Sequence, residues 1–401
     1  MRPLFVLSQR PELTGSGITV DSLVRLAAAA GHEPWVLCGV PVDEPRPTVG
    51  GLPPERILTV TFGPGGDLPY PVPGMSDVMP YASTVWSSMT ETMLDQYRRV
   101  WRERLMQACA SVEPDLLHLN HCWLMAALAA DVLPDIPSLA HCHATGLRQM
   151  QLCPHLRDEV VNGLRKIDRF AVLHAEHAAL LADILDIAND RITEVGAGYR
   201  QDIFHDTGEN RSGHLLFVGK FAAAKGLPWL LDACEQRWRD GHEFTLHIAG
   251  DGAGEEAEEL RRRMQRLAPQ VVMHGRLTQP ELGALMQTMA ALVLPSFYEG
   301  LPLVLAEARA CGCRLVSTAL PGVVGRLAPA IGDDLILVEP PRLEGPDTPV
   351  VADLPIFTER LAQAIDNALG YGPSPAAPAQ LAPFTWSTVF QHVETDWHRL
   401  V

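Results

Sequence analysis

Glu299 and Glu307 stand eight positions apart in the stretch Leu292 to Cys313, LVLPSFYEGLPLVLAEARACGC. Eight positions are a little over two helical turns, so the two carboxylates face roughly one side of the segment. The stretch reads as a buried strand ending at Pro295, a loop carrying Glu299 and Gly300, and a helix from about Leu301 to Ala310. Pro302 suits the first turn of that helix, where a missing N–H leaves no bond unmade. The amides around Gly300, Leu301 and Leu303 then fan out at a helix N-terminus, where the macrodipole favours an anion and a glycine lets a phosphate approach. Carboxylates beside an anion repel it, so Glu299 and Glu307 are expected to accept hydrogen bonds from the hydroxyls of a sugar and a ribose.

Two lysines precede this pair in the chain. A strand from Leu215 to Gly219 runs into Lys220-Phe221-Ala222-Ala223-Ala224-Lys225-Gly226, and a helix follows from Leu227 to Arg237. Lysines on a loop at a strand's carboxyl end can both reach a diphosphate. Farther on, the strand Val271 to His274 ends at Gly275-Arg276, where the guanidinium can lie on the plane of a base. Near the start of the chain, Thr14-Gly15-Ser16-Gly17 reads as a turn between the strand Pro3 to Leu7 and a helix Ile18 to Ala30. Gly15 and Gly17 would let backbone come close to a ligand there, although the Gly-x-Gly-x-x-Gly fingerprint is not completed, since position 20 is Val.

Histidines gather at two more strand ends. Leu116 to Leu119 leads to His121, Cys122 and Trp123, and Ser138 to His143 contains His141, Cys142 and His143. Alternation along a strand sends His141 and His143 to the same side, as zinc ligands would be. The other reading is that polar groups collect where ligands bind, at the carboxyl edge of a parallel sheet.

The pattern Pro295-Ser296-x-x-Glu299-Gly300-x-Pro302-x-x-x-x-Glu307-Ala308 closely resembles the Glu-x7-Glu signature of family 4 retaining glycosyltransferases of the GT-B fold. The lysine loop resembles that family's Gly-Arg-x-x-x-x-Lys-Gly element, with Lys220 where arginine is usual; a point charge then replaces a bidentate fork. The resemblance is specific from about Leu215 to Cys313 and loose over the first 200 residues. It implies an α/β, GT-B chain: two doubly wound Rossmann-like domains facing a central cleft, the first selecting the acceptor and the second holding a nucleotide-diphosphate sugar. It further implies that His143, before Ala144-Thr145-Gly146, lies near the donor sugar, with His121 and Trp123 as acceptor-side residues of the same wall. Glu299, Lys220, Lys225 and His143 are the expected catalytic residues; Gly15, Gly17, Gly219, Arg276, Gly300, Leu301, Leu303 and Glu307 are expected to bind the donor.

Length and composition agree with two domains. The chain has 401 residues, 47 % of them apolar and 20 % charged, and carries a formal charge of −16. Such an acidic balance argues against nucleic acid or an anionic membrane as a bulk partner. The helix Glu91 to Val112 holds four arginines and a tryptophan within Tyr97 to Arg104 and leaves room for peripheral membrane contact, though arginines interspersed with glutamates more often make a solvated face. No window approaches a membrane span, the first apolar run is too short for a secretory signal, and the eight cysteines show no Cys-x-x-Cys pair. A cytoplasmic enzyme with free thiols is expected.

The boundaries expected are 1–205 for the first domain, 213–383 for the second, and 384–401 for a final helix packing on the first domain. No Asp-x-Asp occurs, so neither a metal nor another cofactor is expected, and the lysines take the metal's role at the diphosphate. A UDP-sugar is the first expectation for the donor; the acceptor is a sugar, lipid or small molecule. Three alternatives stay open: a sugar-nucleotide epimerase on the same fold using a first-domain carboxylate such as Glu12 or Asp77, a non-catalytic sugar-nucleotide binding protein, and a zinc protein built on the His/Cys strand ends.

Overall fold

The computed structural model describes residues 1–401 apart from 12–13, 77–78, 80, 209–212, 346, 371–373 and 376–377. Glu12 and Asp77 lie outside the described residues. The chain divides into two compact units, Met1–Ala197 with Trp386–Val401, and Gly198–Thr385. The division falls ahead of the polar stretch 205–213 because residues 198–204 already belong to the second unit: Phe204 is buried, and a Cβ on Gly283 would come within 3.0 Å of Ile203.

The first unit is built on seven strands: β1 Pro3–Leu7, β2 Trp35–Pro41, β3 Ile57–Phe62, β4 Leu116–Asn120, β5 Ser138–Cys142, β6 Arg169–Val172 and β7 Ile192–Glu194. They form one parallel sheet in the order β3-β2-β1-β4-β5-β6-β7. Strands such as PLFVL are apolar on both faces because helices cover both. Register pairs Leu7 with Asn120 and Asn120 with His141, so the strand ends line up along one edge. Helix α1, Gly15–Ala29, begins two residues earlier than the end of the expected glycine turn: Thr14 caps it by accepting from the Gly17 amide at 3.1 Å. Gly17 is a packing requirement, since a Cβ there would sit 1.7 Å from the Pro11 carbonyl oxygen.

The long helix α2, Glu91–Val112, buries Tyr97 and Trp101 on one side and turns its arginines outward. Arg98, Arg99 and Arg104 pair with Glu159, Glu103 and Asp67, which makes that side an ion-paired face. Between β3 and α2 the chain is held at Met75, whose amide donates to Gln9 Oε1 and whose carbonyl accepts from Gln149 Nε2, both at 3.3 Å. The final helix, Trp386–Leu400, packs on this unit. Its Trp397 meets Phe5 and His118 edge-on at 5.7 and 5.8 Å, and its fully buried Asp396 takes Arg169 Nε at 2.9 Å. Among the described residues no helix is long and apolar enough to cross a membrane.

The second unit has six parallel strands: β8 His214–Val218, β9 Thr245–Ala249, β10 Val271–Gly275, β11 Ala291–Leu294, β12 Arg314–Thr318 and β13 Leu335–Val338. Their order is β10-β9-β8-β11-β12-β13. The direction of winding reverses between β8 and β11, which leaves a crevice beyond the carboxyl ends of those two strands. A core around Phe217, Phe297 and Phe357 fixes the sheet against its helices.

Candidate active site

At the reversal between β8 and β11 the two loops singled out by sequence become neighbours. The loop after β8 passes Gly219 and Lys220, makes a short 3-10 turn at Ala223–Lys225, and enters a helix, α3, at Leu227–Arg239 through Gly226. Gly226 has φ +70°, and a Cβ on it would lie 2.1 Å from the Pro295 carbonyl oxygen. Only glycine lets the lysine loop press against the loop after β11 this closely. The Phe297 amide donates to Ala224 O at 2.9 Å, locking the two loops together. As a result Lys225 Nζ donates to Glu299 Oε1 at 2.6 Å, with the two side chains 25 % and 17 % exposed.

Pro302 stands outside the helix that follows. It has extended backbone, φ −75° and ψ 101°, and serves as the cap of α4, Leu303–Ala310. The helix thus starts two residues later than the sequence suggests, because proline's fixed φ also suits a cap. Gly300 and Leu301 sit in the bend before it, and Leu303 opens the first turn. Glu307, one turn further, is buried within α4, and burial pushes its carboxyl up to about 7. A carboxyl balanced there donates when protonated and accepts when ionised. Arg276 lies at the end of β10, half-exposed, with Nε 3.4 Å from Asp251. Ser296, part of the signature but given no role there, and Thr318, not singled out by sequence, stand at the ends of the neighbouring strands β11 and β12; both are fully buried and neither hydroxyl has a partner among the described residues.

The first unit gathers its histidines at the edge of β4 and β5. His141 and His143 stack face to face, centroids 4.6 Å apart and planes 5° from parallel. His118 stacks on His141 at 5.7 Å, and His121, held at φ +70°, tilts against His143 at 4.9 Å. Burial pulls every one of these imidazoles below its ordinary range, His121 to about 3 and His141 to about 4. They form a neutral stack. The rings of His118, His141 and His143 lie nearly plane to plane, with His121 tilted against them, and among the described residues no group of three or more His, Cys, Asp or Glu could hold a metal ion. Trp123 is a correction: its indole is 1 % exposed and packs edge-on against Trp86 at 5.7 Å, inside the core and not on a wall open to an acceptor. Large aromatics next to polar strand ends carry no signal that tells these placements apart.

Residues 212–344 match the family model described as glycosyl transferases group 1. The chain carries a group 1 glycosyltransferase domain. The matched range contains both lysines, Arg276 and both glutamates. Over 343 residues this glycosyltransferase is 27 % identical to a protein named glycogen synthase from Mycobacterium tuberculosis, covering 80 % of this chain and 79 % of that one. In fold it is similar to a sucrose-phosphate synthase from Thermosynechococcus elongatus, with TM-score 0.70 at 17 % identity, covering 100 % of this chain and 99 % of the other. It is similar as well to Anabaena Alr3699/HepE solved in complex with UDP-glucose, with TM-score 0.67 at 14 % identity over 99 % and 100 % of the two chains. Two parallel-sheet units of this kind give the glycosyltransferase the GT-B fold.

Proposed function

We propose that this glycosyltransferase moves a sugar from a nucleotide-diphosphate sugar to an acceptor, with retention at the anomeric carbon and without a metal ion. The observation that carries the reading is the Lys225–Glu299 contact at the β8/β11 reversal, beside the amides of Gly300, Leu301 and Leu303. Breaking the glycosidic C–O bond places growing negative charge on the leaving diphosphate. Lys220, Lys225 and those amides are fixed positive groups, and preorganised charge of this kind lowers such a barrier more than any other single device. With two lysines in the loop, countercharge is supplied by the chain itself.

When a diphosphate takes Lys225, Glu299 is released to accept hydrogen bonds from sugar hydroxyls, so the ion pair of the free protein holds both groups ready. Glu307 binds the ribose, Arg276 packs on the base, and Gly219 gives the backbone room beside the phosphates. Gly15, exposed in the first turn of α1, keeps a donor-side role, whereas Gly17 is accounted for by its packing on Pro11. His143 acts on the donor sugar, and His121, itself buried, packs against it. The acceptor is a sugar, lipid or small molecule with a free hydroxyl. UDP-glucose, the ligand of the solved Anabaena protein, is the first donor to try.

Calorimetry with UDP, GDP, ADP and their sugar conjugates, each with and without a divalent metal, tests the donor site. Micromolar binding of one conjugate without metal is expected; binding that requires the metal overturns metal independence, and no binding to any overturns the donor site. The anomeric configuration of the transferred sugar, read by NMR on the product, tests retention.

A further inference from the structure

We propose that Asn120 fixes His143 in a single tautomer, protonated on Nε2, and thereby presents a bare Nδ1 as hydrogen-bond acceptor for a substrate hydroxyl. The inference rests on the reading of His143 as a substrate-facing residue and assigns a new positioning role to a residue that the motifs do not mark.

Asn120 is the last residue of β4 and is fully buried. Its amide nitrogen lies 3.3 Å from the Val6 carbonyl oxygen and 3.4 Å from the His118 carbonyl oxygen. Both are acceptors only, so the NH2 group must face them and the amide oxygen must point the other way. That oxygen is 3.2 Å from His143 Nε2. Since an amide oxygen cannot donate, the hydrogen between the two atoms belongs to the imidazole. The opposite tautomer would set two lone pairs against each other in a buried place, leaving both without a partner.

The ring has no second proton to spare. Burial, and the neighbouring imidazoles of His141, His121 and His118, disfavour the charged form, so a hydrogen on Nε2 means a lone pair on Nδ1. Parallel stacking on His141 holds the plane of the ring, and the His143 carbonyl accepts from the Gly146 amide at 2.9 Å, anchoring its backbone at the start of the next helix. His118 and His141 are wholly buried, whereas His143 keeps 8 % of its surface exposed. Of the four clustered histidines His143 is the most exposed, and its Nδ1 is an acceptor-only nitrogen. Such an atom selects a ligand group that can donate, a hydroxyl rather than a carbonyl or ether oxygen.

Long-range proton–nitrogen NMR on the full chain labelled with 15N-histidine reads the tautomer directly, with His143→Gln identifying the resonances. In the wild-type protein Nε2–H is expected over Nδ1–H by about tenfold or more, the ratio that one buried hydrogen bond sets; an Nδ1–H signal or an even mixture overturns the proposal. In Asn120→Leu the preference should collapse towards a mixture. Should that variant not fold, Asn120→Asp keeps the acceptor and adds a charge that favours the imidazolium, so His143 should titrate at higher pH than in the wild type. A tautomer ratio unchanged in Asn120→Leu, or a titration unmoved in Asn120→Asp, overturns the role of Asn120. A residue that merely filled space would move neither signal. These spectra need no substrate, so their failure leaves the donor site untouched, while failure of UDP-glucose to bind in calorimetry strikes the functional reading and not the tautomer.

Discussion

Glu307→Gln should gain a stability advantage over the wild type as pH rises. Burial raises the Glu307 carboxyl from its ordinary 4.5 to about 7, so the folded chain holds a proton that the unfolded chain has already lost over that interval. Stability therefore falls as pH rises from the lower value to the higher one, and the loss is complete above about 7. At about 1.4 kcal/mol for each tenfold change in proton affinity, the full penalty is about 3 kcal/mol. Glutamine has nearly the same shape and never ionises. At pH 4 both side chains are neutral, and wild type and variant should unfold at similar urea concentrations. At pH 8 the variant should hold an advantage of about 3 kcal/mol in unfolding free energy. A difference that stays constant between pH 4 and pH 8 refutes the raised carboxyl. The same proton links stability to binding: a ribose that prefers the carboxylate should bind more tightly as pH rises through 7, and Glu307→Ala should weaken binding of the free nucleoside diphosphate at every pH.

Three further substitutions test separate parts of the structure. Lys225→Ala should abolish turnover while the melting temperature changes little, because a half-buried ion pair of this kind contributes about 1 kcal/mol; an unchanged kcat removes the lysine from the phosphate site. Gly226→Ala should cost about 2 kcal/mol or more in thermal unfolding, since the side chain meets the Pro295 carbonyl and the φ of +70° is already disfavoured; a neutral result means that the two loops part easily. Asp396→Ala should destabilise the first unit by about 3 kcal/mol, since the partly buried Arg169 loses its carboxylate, and equilibrium urea unfolding reads it.

Much of the sheet architecture was legible because each strand is an apolar run closed by glycine, proline or a polar residue. β1 and the helix Glu91–Val112 have the ends their sequences suggest. The grouping of Lys225 with Glu299 was expected from the family resemblance, and in the structure the loops at the carboxyl ends of β8 and β11 meet where the winding reverses. What stayed hidden depends on contacts between distant residues. Gly17 looks the same in sequence whether it makes room for a ligand or for Pro11. Pro302 fits a cap as well as a first turn. Asn120 is one polar residue at a strand end, and only the two carbonyls on its far side give its oxygen a direction.

The chain leaves its first unit after Ala197 and returns to it at Trp386, so the second unit is in effect an insertion within the first. Synthesis from the N-terminus therefore completes the later unit before the earlier one. Until the final helix emerges, Phe5 and His118 lack the Trp397 indole that covers them, and Arg169 lacks its carboxylate. A nascent chain that has reached Thr385 but not yet added that helix would carry a finished second unit joined to an unsealed first one.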